Sequence, residues 1–328
     1  MTRFSVLDLV PVVEGGSEGA ALAAAADLAR AAERLGYHRF WVAEHHGMPG
    51  IASAATAVTL AHIGHATSTI RIGAGGIMLP NHSPFVIAEQ FGTLDALFPG
   101  RVDLGLGRAP GADGRIAQML RKDLMRAAEA FPNDVVELRA LFAGDERLPL
   151  QATPGRGAEV EMWILGSSLF GAQLAALLGL PYAFASHFAP AALDQALELY
   201  RREFRPSEGL AEPYVMAAIN VIAAGSDGEA RLLASSMDQA FVALRTGEPG
   251  RLKPPVEGYR ESLPPQALAM LESFREASAI GSPDTVRGAV ARFIERTRAD
   301  ELIFAGSTFD PAARVRSLEL AMDAVRGL

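Results

Sequence analysis

Three ionisable side chains in a row, Glu44-His45-His46, end the apolar run Phe40-Trp41-Val42-Ala43. A carboxylate beside two imidazoles offers proton transfer near neutral pH, because imidazole titrates there and a carboxylate can orient it. If the run is a strand, alternation sends His45 to one side and Glu44 and His46 to the other. Unpaired charge is costly to bury, so the trio points to function or to a dense hydrogen-bonding cluster. A metal centre is not expected, since neither a carboxylate-rich partner segment nor a His-x3-His spacing accompanies it.

Further along, Gly73-Ala74-Gly75-Gly76 interrupts the next apolar run. Glycine weakens a strand, so the cluster suggests a flat ligand laid against bare backbone, or close packing of a neighbouring helix. Gly105-Leu106-Gly107-Arg108-Ala109-Pro110-Gly111 is not a dinucleotide loop, because the third glycine falls one residue late for G-x-G-x-x-G. Arg108 reads better as a planar fork for a phosphate, with a surface salt bridge as the plainer alternative. Leu165-Gly166-Ser167-Ser168 precedes a helical pattern and suits either an anion or an ordinary N-cap. His187 ends another apolar run and is a pocket candidate, whereas His62 and His65 share an apolar helix and read as packing or interface.

These residues have to be positioned by strands, and eight runs rich in β-branched and aromatic residues supply them: 4–10, 39–43, 70–79, 101–107, 162–165, 182–186, 214–223 and 301–305. Amphipathic, alanine-rich helices are predicted over 19–35, 53–66, 88–97, 115–142, 171–178, 192–204, 227–244, 264–279, 284–297 and 311–325. Strand and helix alternate, which favours parallel pairing through right-handed crossovers, and eight such units close a (β/α)8 TIM barrel. Polar groups at strand C-terminal ends would then share the barrel's active face. Residues 144–161 and 246–265, the latter with five prolines, read as insertion loops of one barrel domain spanning 1–328, and long loops of this kind are often lids.

Composition narrows the function. The net charge of -8 does not suit a nucleic-acid binder. The absence of cysteine removes disulfides, thiolate metal sites and thiol nucleophiles. No apolar stretch approaches the roughly 20 residues that span a bilayer, and no signal-type segment opens the chain, so a cytoplasmic protein is expected.

The order of the segments resembles the bacterial luciferase-like flavin monooxygenases. The resemblance rests on Glu44-His45-His46, on Ile72-Gly73-Ala74-Gly75-Gly76-Ile77-Met78-Leu79-Pro80 followed by Asn81-His82-Ser83-Pro84, and on Phe98-Pro99-Gly100-Arg101-Val102-Asp103-Leu104-Gly105-Leu106-Gly107-Arg108. The Ser167-Ser168 loop and Ile280-Gly281-Ser282-Pro283-Asp284 extend it along the chain. It implies a barrel that takes reduced FMN from a separate flavin reductase and uses O2 to oxidise a small organic substrate. It also implies a catalytic role for His45, with Glu44 and His46 beside it, and a non-prolyl cis peptide at Gly75–Gly76. Arg108, Ser167 and Ser168 would hold the cofactor phosphate, with Gly75, Gly76 and His187 completing the cofactor group. A homodimer through helices 53–66 and 88–97 follows from the same likeness. Luciferase itself carries an acidic residue and a threonine where this chain has Gly166 and Phe170, and a cysteine where it has Gly107, so light emission is not expected. Two alternatives stay open: hydride transfer with coenzyme F420, used by relatives on this fold, and a non-catalytic flavin-binding protein that would need no His45.

Overall fold

The structure is a computed structural model and describes residues 2–108, 118–120 and 123–328, with backbone alone at 124 and 125. Ala109-Pro110-Gly111 and part of the predicted helix 115–142 lie outside the described residues.

Eight parallel strands close on themselves in the order β1 (Arg3–Asp8), β2 (Arg39–Val42), β3 (Arg71–Met78), β4 (Val102–Gly107), β5 (Glu161–Gly166), β6 (Tyr182–Phe184), β7 (Val215–Ala223) and β9 (Glu301–Ala305), with β9 pairing back to β1. Strands covered on both faces read as continuous apolar runs, which is why these segments are legible; β7 is buried at all nine positions. The chain forms the expected TIM barrel of luciferase-like type.

Around it run α1 (Glu18–Leu35), α2 (Thr56–Ala66), α3 (Pro84–Leu97), α4 (Leu124–Ala143), α5 (Leu169–Leu178), α6 (Leu193–Glu203), α7 (Asp227–Arg245), α8 (Pro265–Phe274), α9 (Pro283–Thr297) and α10 (Pro311–Val325). The first shows how sequence sets the boundaries. Ser17 accepts a hydrogen bond from the Ala20 amide at its N-terminus, and Gly36 ends it at φ +84°, a left-handed conformation that glycine adopts without steric cost.

One departure is topological. The helix predicted over 264–279 stops at Phe274, and Ser278–Gly281 forms a ninth strand, β8. It pairs with the outer half of β7, Asn220–Ala223, after β9 has taken Met216–Asn220. β7 is thus long enough to serve two neighbours in succession, and β8 stands outside the closed barrel. Residues 224–282 therefore form an excursion above the C-terminal ends of the strands.

The two insertion loops differ in place. The segment 144–160 leads into the N-terminal end of β5 and packs on α3, where the Glu159 amide donates to Asp95 Oδ2 at 3.0 Å. It lies away from the mouth and is no lid, which corrects that expectation. The segment after α7 does cross the mouth: Leu252 exchanges backbone hydrogen bonds with Val12 and Glu14, beyond the end of β1. Arg251 also donates to Gly16 O and Glu18.

Inside the barrel an apolar layer of Leu7, Trp41, Ala43, Trp163, Ala183, Met216, Ala218, Ile303 and Ala305 fills alternate strand positions. Below it, at the strand starts, lies an ionic floor. Arg39 sits between Asp103 (2.9 Å), Glu161 (3.1 Å) and Glu301 (3.2 Å), with its guanidinium over the Trp163 ring. Trp41 Nε1 donates to Asp103, and the Tyr214 hydroxyl donates to Glu301.

Candidate active site at the mouth of the barrel

The inward row of β2, Arg39-Trp41-Ala43, continues by alternation to His45, which places that imidazole in the mouth. Its Nδ1 is buried without a hydrogen-bond partner. His187, past the end of β6, also has a buried and unpartnered Nδ1, although part of the residue remains exposed. The turn that carries it is fixed to β7: Asn220 Nδ2 donates to the His187 carbonyl at 2.7 Å, and Ser186 Oγ donates to the Ala218 carbonyl. Burial pushes both imidazoles below the usual range, His187 to about 4, and His45 adds to the effect on its neighbour. Both are neutral at pH 7 and carry unused ring nitrogens.

On the opposite side of β2's exit, Glu44 and His46 part from His45 as alternation requires. Glu44 is buried, and its Oε1 receives His46 Nε2 at 2.5 Å and His82 Nε2 at 2.8 Å, while its Oε2 accepts the Met78 amide at 3.0 Å. Burial alone would raise this carboxyl; the bonds from His82, His46 and Met78 hold it below its ordinary value. The three side chains form a cluster able to hold a metal ion, with ligand atoms all within 4.8 Å of one another. However, ligands 2.0–2.1 Å from one tetrahedral ion sit about 3.3 Å apart, so contacts of 2.5 and 2.8 Å describe a carboxylate clamp on two imidazoles. His82 did not figure among the expected site residues; its signal was the Asn81-His82-Ser83-Pro84 segment.

The glycines are closely packed by the barrel itself, whatever contact their backbone makes with a ligand. The Gly75–Gly76 peptide is cis, as the resemblance implies. A Cβ at Gly73 would lie 2.6 Å from Trp41 Nε1, one at Gly75 2.8 Å from the Trp41 ring, and one at Gly76 2.5 Å from the Gly105 carbonyl. These residues are glycine because the barrel's own atoms fill the space. Among the described residues, a Cβ at Gly107 would meet only the Ile77 carbonyl, at 3.7 Å. Among those residues, the room at the top of this face lies beside Gly107, one residue before Arg108.

Arg108 stacks on Phe170 with its guanidinium carbon 4.0 Å from the ring centroid. Phe170 belongs to the first turn of α5, so the stack brings the arginine to that helix's N-terminus and to the Ser167-Ser168 loop. Ser168 is the N-cap residue, yet its hydroxyl makes no capping bond, and both serines are exposed. The stack thus sets a guanidinium on the first turn of the helix that the two serines precede, an arrangement that suits an oxyanion.

Residues 2–301 match the luciferase-like monooxygenase family. The chain belongs to that family. It is similar to a luciferase-like monooxygenase of Escherichia coli (strain K12), at 51% identity over 98% of this chain and 96% of the relative. A Bacillus subtilis (strain 168) relative, N-acetyl-S-alkylcysteine monooxygenase, is 34% identical over 84% of this chain and 81% of its own. Among solved structures, apo-MsnO8 superposes with a TM-score of 0.92 at 35% identity, covering 99% of this chain and 98% of the other. More distant structures share the fold alone. The oxygenating constituent of 3,6-diketocamphane monooxygenase, in complex with FMN, gives a TM-score of 0.75 at 18% identity over 99% of this chain and 98% of the other. An F420-dependent secondary alcohol dehydrogenase gives 0.74 at 16% over 99% of both chains. The first of these two is in complex with FMN and the second with an F420-acetone adduct. No helix among the described residues is long and apolar enough to cross a membrane.

Proposed function

We propose that this family member is a monooxygenase that takes reduced FMN from a separate flavin reductase and uses O2 to oxidise a small organic substrate. The observation that carries the reading is the Arg108–Phe170 stack, which delivers an arginine to the amides of α5 and the hydroxyls of Ser167 and Ser168. No carboxylate among the described residues pairs with Arg108, which supports its assignment to a phosphate. Its fit to a flavin is supported by the open face at Gly107 and by the unpartnered Nδ1 atoms of His45 and His187. Contacts at Gly75 and Gly76 would be made by their backbone.

When bound, the flavin supplies the electrons that activate oxygen. Arg108 with Ser167 and Ser168 would hold the phosphate end of the cofactor. His45, neutral at working pH, accepts or returns a proton at Nδ1 or Nε2 beside the reacting centre. The Glu44 clamp holds the β2 and β3 exits together through His46, His82 and the Met78 amide, so that the neighbouring His45 keeps its place. The segment after α7 limits water access from above. The chain is further proposed to act as a homodimer through α2 and α3, which present Val58, Val86 and Leu97 to solvent; light scattering at micromolar concentration tests this.

Anaerobic titration with reduced FMN and with reduced F420, followed by admission of oxygen, tests the reading. Reduced FMN should bind, and oxygen should be consumed with product formed from an oxidisable organic compound. Binding of F420 alone without oxygen uptake would establish the hydride-transfer alternative instead. Tight flavin binding without turnover of any compound, unchanged by loss of His45, would leave a binding protein.

A further inference from the structure

Beyond His187 the rim carries a second arginine held on aromatic faces. Arg245, the last residue of α7, has its guanidinium carbon 4.9 Å from the Phe188 centroid and 5.2 Å from that of Phe241. Phe241 in turn stacks on Phe274 at 4.0 Å with an interplanar angle of 18°. The column Phe274, Phe241, Arg245, Phe188 thus runs from the buried side of α8 to the residue next to His187, and Phe188 is 40% exposed. A guanidinium held over aromatic rings keeps N–H donors that the rings do not use. No hydrogen bond or carboxylate partner engages those donors among the described residues.

We propose that Arg245 receives the carboxylate of an anionic organic substrate whose apolar body lies along Phe188 toward His187 and His45. The inference rests on the mouth being the oxidation site and adds the substrate class to it. Several features favour a substrate anion over the cofactor phosphate. Arg108 and the α5 amides are already proposed for the cofactor phosphate on the β4–β5 side, whereas Arg245 packs on Phe188, past the end of β6. It is also the residue before the segment whose Leu252 bonds to Val12 and Glu14 beyond the end of β1, which ties the far end of that segment to the mouth. Finally, the stack pre-orders a long side chain whose immobilisation would otherwise cost binding energy.

The test uses matched acid and amide probes and needs no flavin. Binding of N-acetyl-S-benzylcysteine, 3-phenylpropanoate and (benzylthio)acetate, each against its primary carboxamide, is measured by ligand-observed NMR at low ionic strength. The protein is compared as wild type, Arg245→Gln, Arg245→Lys and Arg108→Gln. Wild type should favour at least one acid over its amide by about tenfold or more, as expected of a charge-assisted pair. Arg245→Gln should abolish that preference, Arg245→Lys should keep part of it, and Arg108→Gln should leave it intact. Equal binding of acid and amide in all three pairs, no binding of any acid, or a preference that survives Arg245→Gln would overturn the proposal. So would a loss of reduced-FMN affinity in Arg245→Gln, measured anaerobically, since it would assign the arginine to the cofactor. Failure of the flavin reading would instead show as absent FMN binding in wild type, whatever the probes do.

Discussion

The two ends of the barrel contain much the same chemistry and use it in opposite ways. At the floor, Arg39 is enclosed by Asp103, Glu161 and Glu301, Arg71 also reaches Asp103, and the tryptophan and tyrosine at that level donate to the same carboxylates. At the mouth, His45 and His187 keep buried ring nitrogens without partners among the described residues, and among those residues Arg108 and Arg245 lean on phenylalanines and on no carboxylate. Satisfying charges against one another locks the strand starts. Leaving the two buried imidazole nitrogens unpartnered costs stability, whereas the exposed arginines stay solvated; both are left available to a ligand. The Glu44 clamp brings the floor's style of pairing to the mouth, as does Arg314 on buried Asp8 at the end of β1, and the clamp belongs to the scaffold of the site.

This contrast can be broken by substitutions at either end. His45→Ala should lower turnover by about 10²–10⁴-fold with flavin binding retained, as loss of acid-base help does; stopped-flow mixing of the reduced-flavin complex with oxygen reads it. Arg39→Met should do the reverse, costing about 3–5 kcal/mol of stability in urea titration by stranding buried Asp103 and Glu301, with reduced-FMN affinity of the folded protein kept. A fall in affinity without a fall in stability for Arg39→Met would erase the distinction.

The pH dependence sharpens it. His187 is lowered to about 4, as is half-buried His38, and His45 is lowered too, each chiefly by burial. Unfolded, all three titrate near 6.5. Between about 4 and 6.5 the unfolded chain therefore binds more protons, so stability present above that window is lost as pH falls through it. His187→Asn should flatten the decline by at most about 3 kcal/mol at pH 4, measured by denaturant titration across pH. Glu44→Gln should cost about 1.5–3 kcal/mol at pH 7, the value of a charge-assisted bond, and loosen amide-exchange protection at Met78.

Much of this was legible in the sequence because it is local. Buried parallel strands are unbroken apolar runs, and Glu44-His45-His46, Arg108 and the serine pair each follow one directly. What escaped depends on distant partners. β8 is four residues that pair only because β7 outruns the barrel, and by periodicity they continue a helix. Gly73, Gly75 and Gly76 suggested a ligand because the bulk that excludes side chains there, Trp41 and the Gly105 carbonyl, comes from other strands. The floor draws on the starts of β2, β3, β4, β5 and β9, where single charges look like ordinary strand ends. Arg245 resembles any solvated helix terminus until Phe188 is brought over it.

That the mouth is a prepared anion and flavin site is tested most directly by anaerobic titration of Arg108→Ala with reduced FMN. Loss of one charge-assisted contact, about 1.5–3 kcal/mol, should weaken binding roughly ten- to a hundredfold, with the urea midpoint unchanged. An Arg108→Ala protein that binds reduced FMN as tightly as wild type would contradict it.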